Sequence, residues 1–481
     1  MGHLRLLRLF VFVMLAALPL TLLSGEIRLN QGKSELKITG NAYQSISFTN
    51  SIASLQYREV NTSLGLFTEL FVQDHGYSNV VGSPKLPVYR RLIEVPVGAS
   101  FDIVITRQEY KEYDCTASGI AHLVIPAQAP VSKGITDPSL IPFEYNAQVY
   151  QQNAFLGGPL VTVSPVGTMR AVTLARIEIA PVQYNPVTGK LRIYETIEAT
   201  VVFNHANIGA TLEMKHRLAS PYFEKAYHLL PNYKQESDQL ITTSPVTYVI
   251  ISDPMFEQPL QPFVQWKTRK GFKVIEGYTN NPAVGTTLAS IKSYLQGLYN
   301  NPPAGYNPPS FILFVGDVAQ IPAWTNNGQP TDLRYCEYTN DNIPEVFYGR
   351  FSASNLAQVQ PQIDKTLEYE QYLFPNESYL DSCTMVAGAD ASHQMTWGNG
   401  QINYGTTYYF NTAHNLISHT YLQPEPSGQN YSLEIRTDVS NGVCYANYTA
   451  HGSENGWADP SFTIGNIASL QNNHMYPLMV G

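Results

Sequence analysis

Two patterns of apolar and polar positions divide the chain. Over residues 26–215 they alternate at period two, the spacing of half-buried strands. The clearest run is "LRIYETIEATVVF" (191–203), where Leu191, Ile193, Ile197, Ala199, Val201 and Phe203 fall on one face. The run before it, "VTLARIEIAPVQY", is separated from it by "NPVTGK". Asn, Pro and Gly form turns, so the two runs predict a hairpin. "GSPKLPVYRRLIEVPVGASFDIVI" reads as a second strand pair, punctuated by Pro and Gly. No stretch in this half repeats at helical spacing.

From residue 206 to 244 the chain is more polar and carries Lys215, Arg217, Lys225 and Lys234. This composition predicts a linker with some local helix. At Pro245 the pattern changes again. Short continuous apolar runs ("TYVIIS", "FKVIEGY", "FILFVGD", "TMVAGAD", "CYANYTAHG", "YPLMVG") have the character of strands buried on both faces. Between them lie helical repeats. Leu260, Phe263 and Val264 precede Gly271, which sits where a helix C-cap belongs, and Leu288, Ile291, Leu295 and Leu298 share one helical face. Strand and helix in alternation predict an α/β fold with a mostly parallel sheet, preceded by a β-rich, sandwich-like region.

Composition narrows the function class. Charged residues are 14% of the 481, against about 25% in an average soluble chain. Tyr (32) outnumbers Lys and Arg together (29). The net charge is −9 with no basic block, which argues against a nucleic-acid partner. At the N-terminus "MGHLRLLR" precedes the apolar run 9–23 and then "SGE", the layout of a signal peptide over 1–24. That run is 15 residues with Pro19 inside, short of the roughly 20 a membrane span needs. No later segment is long and apolar enough, so no transmembrane segment is expected and the protein is expected to be secreted or at the cell surface. Cys115, Cys336, Cys383 and Cys444 are widely spread, three pairings are open, and the absence of CxxC excludes a zinc ribbon.

In parallel sheets, ligands bind outside the carboxyl ends of the strands. Asp317 follows "FILFVG", Asp390 follows "TMVAGA", and His451 and Gly452 follow "CYANYTA". An Asp and a His at strand ends suggest an oriented general base: the carboxylate fixes the imidazole tautomer while the other ring nitrogen exchanges a proton with a nucleophile. The Gly452 N–H is placed to help bind an oxyanion. A lone strand-end histidine is, on pattern alone, more often a satisfied polar residue. Other nucleophiles are weak: Ser453 lacks a GxSxG setting and Cys444 reads as core. His414 and His419, five residues apart, do not share a helical face, which argues against a metal site there.

"NYTAHGSENGWADP" and "MVAGADAS" resemble the catalytic-histidine and catalytic-aspartate segments of the gingipain family of cysteine endopeptidases, a caspase-like clan, and its lysine-specific branch more than its arginine-specific one. "LQPFVQWKTRKGFKV", "AVGTTLASIKSYL", "FILFVGDVAQIP", "IPEVFYGRFSAS" and "IDKTLEYEQYL" follow in family order, and "KLPVYRRLIEVPVGA" is similar to the family's prodomain. The resemblance implies a caspase-like fold over 245–481, His451 and Asp390 as catalytic residues, Gly452 as an oxyanion-hole donor and Thr449 in the pocket for the residue before the scissile bond. It implies a nucleophilic cysteine in the turn after "YPLMVG", just past residue 481, so the 481-residue chain by itself is expected to be inactive. It also implies calcium, held by Asp317, Asp341, Glu345 and the carbonyl of Ile343, with Thr339 standing where the family has a further carboxylate.

These readings give a signal peptide (1–24), a β-rich prodomain (25–214), a linker or activation segment (215–244) and a caspase-like peptidase domain (245–481). The function expected is a secreted cysteine endopeptidase zymogen that cleaves protein or peptide substrates after basic residues, Lys before Arg, with its own prodomain as partner. Cleavage between Lys215 and Thr243, with Lys234 as a candidate, would release it. The alternative is a non-catalytic surface or secretion-associated protein that keeps a peptidase-like domain.

Overall fold

The structure, a computed structural model, describes residues 24–130, 141–235, 245–390 and 393–481. The expected signal peptide falls outside the described residues except for Ser24. The first half is antiparallel throughout its strand pairs. Ser24–Arg28, Ser54–Thr62 and Gly65–Phe71 form one sheet; Gly76–Tyr77, Pro87–Val95, Val172–Ile179 and Val161–Met169 form a second. The third joins Val182–Asn185, Lys190–Asn204, Ser45–Ser51 and Glu35–Asn41, with Ser100–Asp114 also on Lys190–Asn204.

Three details differ from the pattern-based reading. The hairpin around 186–189 uses only Val182–Asn185 of the first run, because Val172–Ile179 pairs instead in the second sheet. The strands Pro87–Val95 and Ser100–Asp114 both form, but they pair with other strands and not with each other. And Lys190–Asn204 does not present one face. Glu195 is an extra residue against Ser100–Asp114, a bulge that inverts the alternation. Leu191 and Ile193 therefore pack into one core, while Tyr194, Ile197, Ala199, Val201 and Phe203 pack into another.

Residues 208–227 hold two helices, Ile208–Leu218, capped by the Asn207 side chain on Ala210 N, and Pro221–Tyr227 with proline in its first turn. The second half contains two four-stranded parallel sheets where the sequence suggested one. Lys273–Tyr278, Thr247–Ser252, Phe311–Val315 and Phe347–Phe351 make the first; Ile417–Tyr421, Ser382–Ala387, Tyr445–Thr449 and Leu478–Val480 make the second. The continuous apolar runs are explained by burial on both faces. In Thr247–Ser252, Val249 and Ile251 enter one core and Ile250 the opposite one. The helices end as their sequences direct: Leu288–Asn300 starts on a Thr287/Ser290 capping box, and Glu257–Arg269 is followed by Gly271 at φ 93°.

The two halves share one core. Ala171, Val172, Leu174, Leu218, Phe223, Tyr227 and Leu230 lie in the same buried cluster as Val249, Ile251, Ile291, Phe314 and Val346.

Candidate active site

Strands Ser382–Ala387 and Tyr445–Thr449 are hydrogen-bonded neighbours in parallel, with Ala387 opposite Thr449. Running the same way, they release the chain at the same rim. Asp390 comes three residues after one strand and His451 two residues after the other. There the imidazole Nε2–H donates to Asp390 Oδ2 at 2.6 Å. That bond fixes the tautomer and leaves Nδ1 as the nitrogen available to a reacting proton. Nδ1 is shielded from solvent and has no hydrogen-bond partner among the described residues. Buried polar atoms are normally satisfied, and one that is not calls for an explanation, a catalytic role among them.

The carboxylate is itself held. Asp390 Oδ1 accepts from the His393 backbone N–H at 2.7 Å, and the His393 ring lies 3.5 Å away. Asp390 N–H donates to Gln394 Oε1 at 3.0 Å, just before the π-helical turn Gln394–Gly398. A third set of contacts ties the Asp and His segments together. Gly388 N–H donates to Thr449 O at 3.1 Å and Ala389 N–H to Asp459 O at 2.8 Å. Tyr448 Oη donates to His451 O at 2.8 Å and accepts from Asp459 N–H at 3.3 Å. Its ring stacks on Trp457 at 4.6 Å. Gly388 fits because it has no side chain: a Cβ there would lie 2.4 Å from Ala450 Cβ and 2.7 Å from both Asp459 O and Tyr448 Oη.

Thr449 is half-buried, and its Oγ1 accepts from Asn447 Nδ2 at 3.0 Å. Gly452 is exposed at the start of Gly452–Ser453, a short strand paired with Gly456–Trp457. His393, Gly388, Tyr448 and Asp459 were not singled out from sequence. Only the glycine in "VAGAD" gave a usable signal, a small residue at a strand end where backbones approach closely.

The four cysteines do not serve His451. Cys383 and Cys444 stand at the amino ends of the two strands whose carboxyl ends carry the dyad, roughly 20 Å away at about 3.3 Å per residue. Burial raises both thiols above the usual range. Cys115, pushed up to about 12 by burial, and Cys336, also raised by burial, belong to other cores. All four are free thiols.

Asp317 does not join the dyad. It follows Phe311–Val315 in the other parallel sheet, and its Oδ1 accepts from Val318 N–H at 2.7 Å. Asp341 and Glu345 do come together, bridged by Thr339 Oγ1 at 2.8 and 2.9 Å. Backbone N–H groups add to these: Thr168 N–H donates to the same Asp341 Oδ2, Ile343 N–H to Asp341 Oδ1 and Tyr338 N–H to Glu345 Oε2. Burial, with Asp341 and Glu337 nearby, pushes Glu345 up to about 7. Calcium needs six to eight oxygens, several of them ionised. Among the described residues no three such side chains are grouped to hold an ion. As arranged, the carboxylate oxygens of Asp341 and Glu345 accept from N–H and hydroxyl donors, and no step below uses calcium.

Residues 241–481 match the model of peptidase family C25, and residues 31–222 match that of the C25 propeptide. Lys-gingipain W83 of Porphyromonas gingivalis is 34% identical over 99% of this chain and 27% of its own length. Gingipain R2 of the same species is 26% identical over 89% of this chain and 56% of its own. The chain thus spans about a quarter of the length of the Lys-gingipain it matches. Among solved structures, one concerned with the zymogenic latency of gingipain K from Porphyromonas gingivalis is 32% identical, covers 38% of this chain and all of its own, and aligns with a TM-score of 0.36. With a C25 propeptide ahead of a C25 catalytic half, the chain belongs to peptidase family C25.

Proposed function

We propose that the chain is the zymogen portion of a secreted cysteine endopeptidase in which His451 is the general base and acid and Asp390 orients it. The observation that carries this reading is the 2.6 Å bond from His451 Nε2–H to Asp390, with Nδ1 unpaired among the described residues. The nucleophile would be delivered by the continuation of Leu478–Val480. In its parallel register on Tyr445–Thr449, Val480 lies opposite Asn447, so the three positions after Gly481 would lie opposite 449–451. A thiol there would lose its proton to Nδ1 and attack the peptide carbonyl to give a tetrahedral adduct. His451 would protonate the amine as it departs, leaving the acyl-enzyme, and would then take a proton from the water that hydrolyses it and frees the thiol. An unperturbed thiol, with a pKa near 8.5, is only a few per cent ionised at neutral pH, so the imidazole is needed. Gly452 N–H is the proposed donor to the oxyanion, and Thr449 lines the pocket before the cut.

The substrate class proposed is a peptide bond after a basic residue, Lys before Arg. Support comes from greater identity to Lys-gingipain than to gingipain R2. The pro-half would be removed by a cut within 215–244. The test is kinetic and uses the gene product extended past residue 481. It should cleave Lys-ending fluorogenic peptides, be stopped by a thiol-alkylating reagent, and lose at least about a thousandfold in kcat/KM in His451→Ala, in keeping with loss of one member of a catalytic unit. Cleavage that survives alkylation, or an extended protein without a cysteine directly after "YPLMVG", would end the proposal in favour of a non-catalytic surface or secretion-associated protein.

A further inference from the structure

Arg170 sits at the tip of the hairpin between Val161–Met169 and Val172–Ile179 in the propeptide, and it is 1% exposed. Its hydrogen bonds all go to main-chain carbonyls. Nε–H donates to Leu218 O at 2.7 Å, Nη1 to Pro309 O at 2.5 Å and Glu345 O at 3.2 Å, and Nη2 to Pro308 O at 3.0 Å. Three of the four acceptors lie in the catalytic half. The rings of Phe223 and Tyr299 flank the guanidinium at 5.2 and 5.7 Å. A buried cation is tolerated only when its donors are satisfied. Here the planar fan of N–H groups meets a matching fan of carbonyls, without an ionic partner among them.

The surrounding turn is built to deliver this side chain. Arg170 has a φ of 52°, a left-handed conformation that a non-glycine residue keeps only where its surroundings impose it. Tyr227 braces the turn: its Oη donates to Met169 O at 3.0 Å and accepts from Ala171 N–H at 3.1 Å. Beside it, Thr168 N–H donates to Asp341 Oδ2 at 2.6 Å. Gly167 allows that approach, because a Cβ on it would lie 2.6 Å from the same oxygen. Pro308 and Pro309 precede Phe311–Val315, and Glu345 precedes Phe347–Phe351. The seat is therefore at the amino ends of the first parallel sheet, whereas His451 and Asp390 are at the carboxyl ends of the second.

We propose that the carbonyls of Pro308, Pro309 and Glu345, with the Tyr299 ring, form a guanidinium-binding site on the catalytic half, separate from the catalytic dyad, and that Arg170 occupies it to anchor the propeptide. The ligand class is an arginine side chain. A lysine ammonium carries three donors on one atom and cannot span the same acceptors. The inference rests on the division into propeptide and catalytic halves and not on the chemistry of His451, so it can fail while that chemistry stands.

The experiment uses the full-length gene product with His451→Ala to prevent self-cleavage and a recognition sequence for a site-specific protease placed within 236–244. After the cut, the dissociation constant between halves is measured by analytical ultracentrifugation. Arg170→Lys should weaken the complex at least tenfold, and Arg170→Met at least a hundredfold. Gly167→Ala, which leaves Arg170 in place but obstructs its seating, should weaken it about tenfold. In parallel, the cut complex with Arg170 and Gly167 intact is titrated with L-argininamide and L-lysinamide, a readout that needs no substitution at the anchor to fold. Selective dissociation by argininamide supports the site. Wild-type affinity in folded Arg170→Lys, or equal effects of the two amides, overturns it.

Discussion

Tyr448 shows how one side chain can control a dyad it does not belong to. Its hydroxyl joins His451 O to Asp459 N, and Asp459 O in turn holds Ala389 beside Asp390. Removing that oxygen leaves both rings of the Tyr448–Trp457 stack in place but frees the backbone on which His451 rides. A hydrogen bond of this kind contributes about 1 kcal/mol net, with more lost when a buried partner is left unpaired. In the protein extended past residue 481, Tyr448→Phe should lower kcat about tenfold with KM nearly unchanged, because the role proposed for His451 is in the bond-making steps and not in holding substrate. Equal kcat in mutant and wild type, by steady-state kinetics, would remove Tyr448 from the mechanism. The dyad itself was legible in sequence because strand ends in a parallel sheet face one rim. Tyr448 was not, since an aromatic inside an apolar strand run looks the same whether its hydroxyl is idle or structural. Asp317 misled for a related reason: strand ends name a rim, but sequence does not say which sheet.

At the level of elements, the segment read as an activation linker is partly a clamp. Lys215, in the helix Ile208–Leu218, is buried and pairs with Glu94 at 2.5 Å. Its Nζ also donates to Lys234 O at 2.6 Å, while Lys234 N–H donates to Glu94 Oε2 at 3.0 Å. Asn232 bonds to Glu94 through both N–H and C=O of that residue. A protease must draw the scissile carbonyl into its own oxyanion site, and the Lys234 carbonyl is already engaged by a buried ammonium. Arg217 and Lys225 are exposed but lie within helices, whose backbone must unwind before it can be cut. The activating cut is therefore predicted beyond Lys234, between Gln235 and Thr243, a stretch that lies outside the described residues after Gln235 and holds no Lys or Arg, so a peptidase of another specificity must make it. N-terminal sequencing of the mature protein checks this, and a mature start within 216–235 would refute it. Composition marked the segment as polar and basic but could not reveal the clamp, because Glu94 is 138 positions from Asn232 in the chain. The same limit applied to Lys190–Asn204: the alternation named its buried residues, but the Glu195 bulge, invisible to period counting, divided them between two cores.

On the scale of the whole molecule, the chain reads as two domains in sequence and packs around a core common to both. Leu174, on a strand of the propeptide, is 3% exposed within the cluster that also holds Val249, Ile251 and Phe314 of the catalytic half. Apolar burial of this kind stabilises by roughly 25 cal/mol per Å², and the side chains share it with no boundary at the propeptide's edge. Independent domains would unfold separately; a shared core couples them. All four tryptophans, Trp266, Trp324, Trp397 and Trp457, lie in the catalytic half, so tryptophan fluorescence reports that half alone while far-UV circular dichroism reports both. Leu174→Ala leaves a cavity in the common core and should destabilise by about 2–5 kcal/mol. If the core is truly common, urea unfolding followed by fluorescence should move to lower denaturant by the same amount as unfolding followed by circular dichroism, although the substitution lies in the half without tryptophan. A fluorescence transition that stays at the wild-type midpoint while the dichroism transition splits in two would mean that the propeptide only rests on the catalytic half, and that the shared cluster carries no cooperative stability.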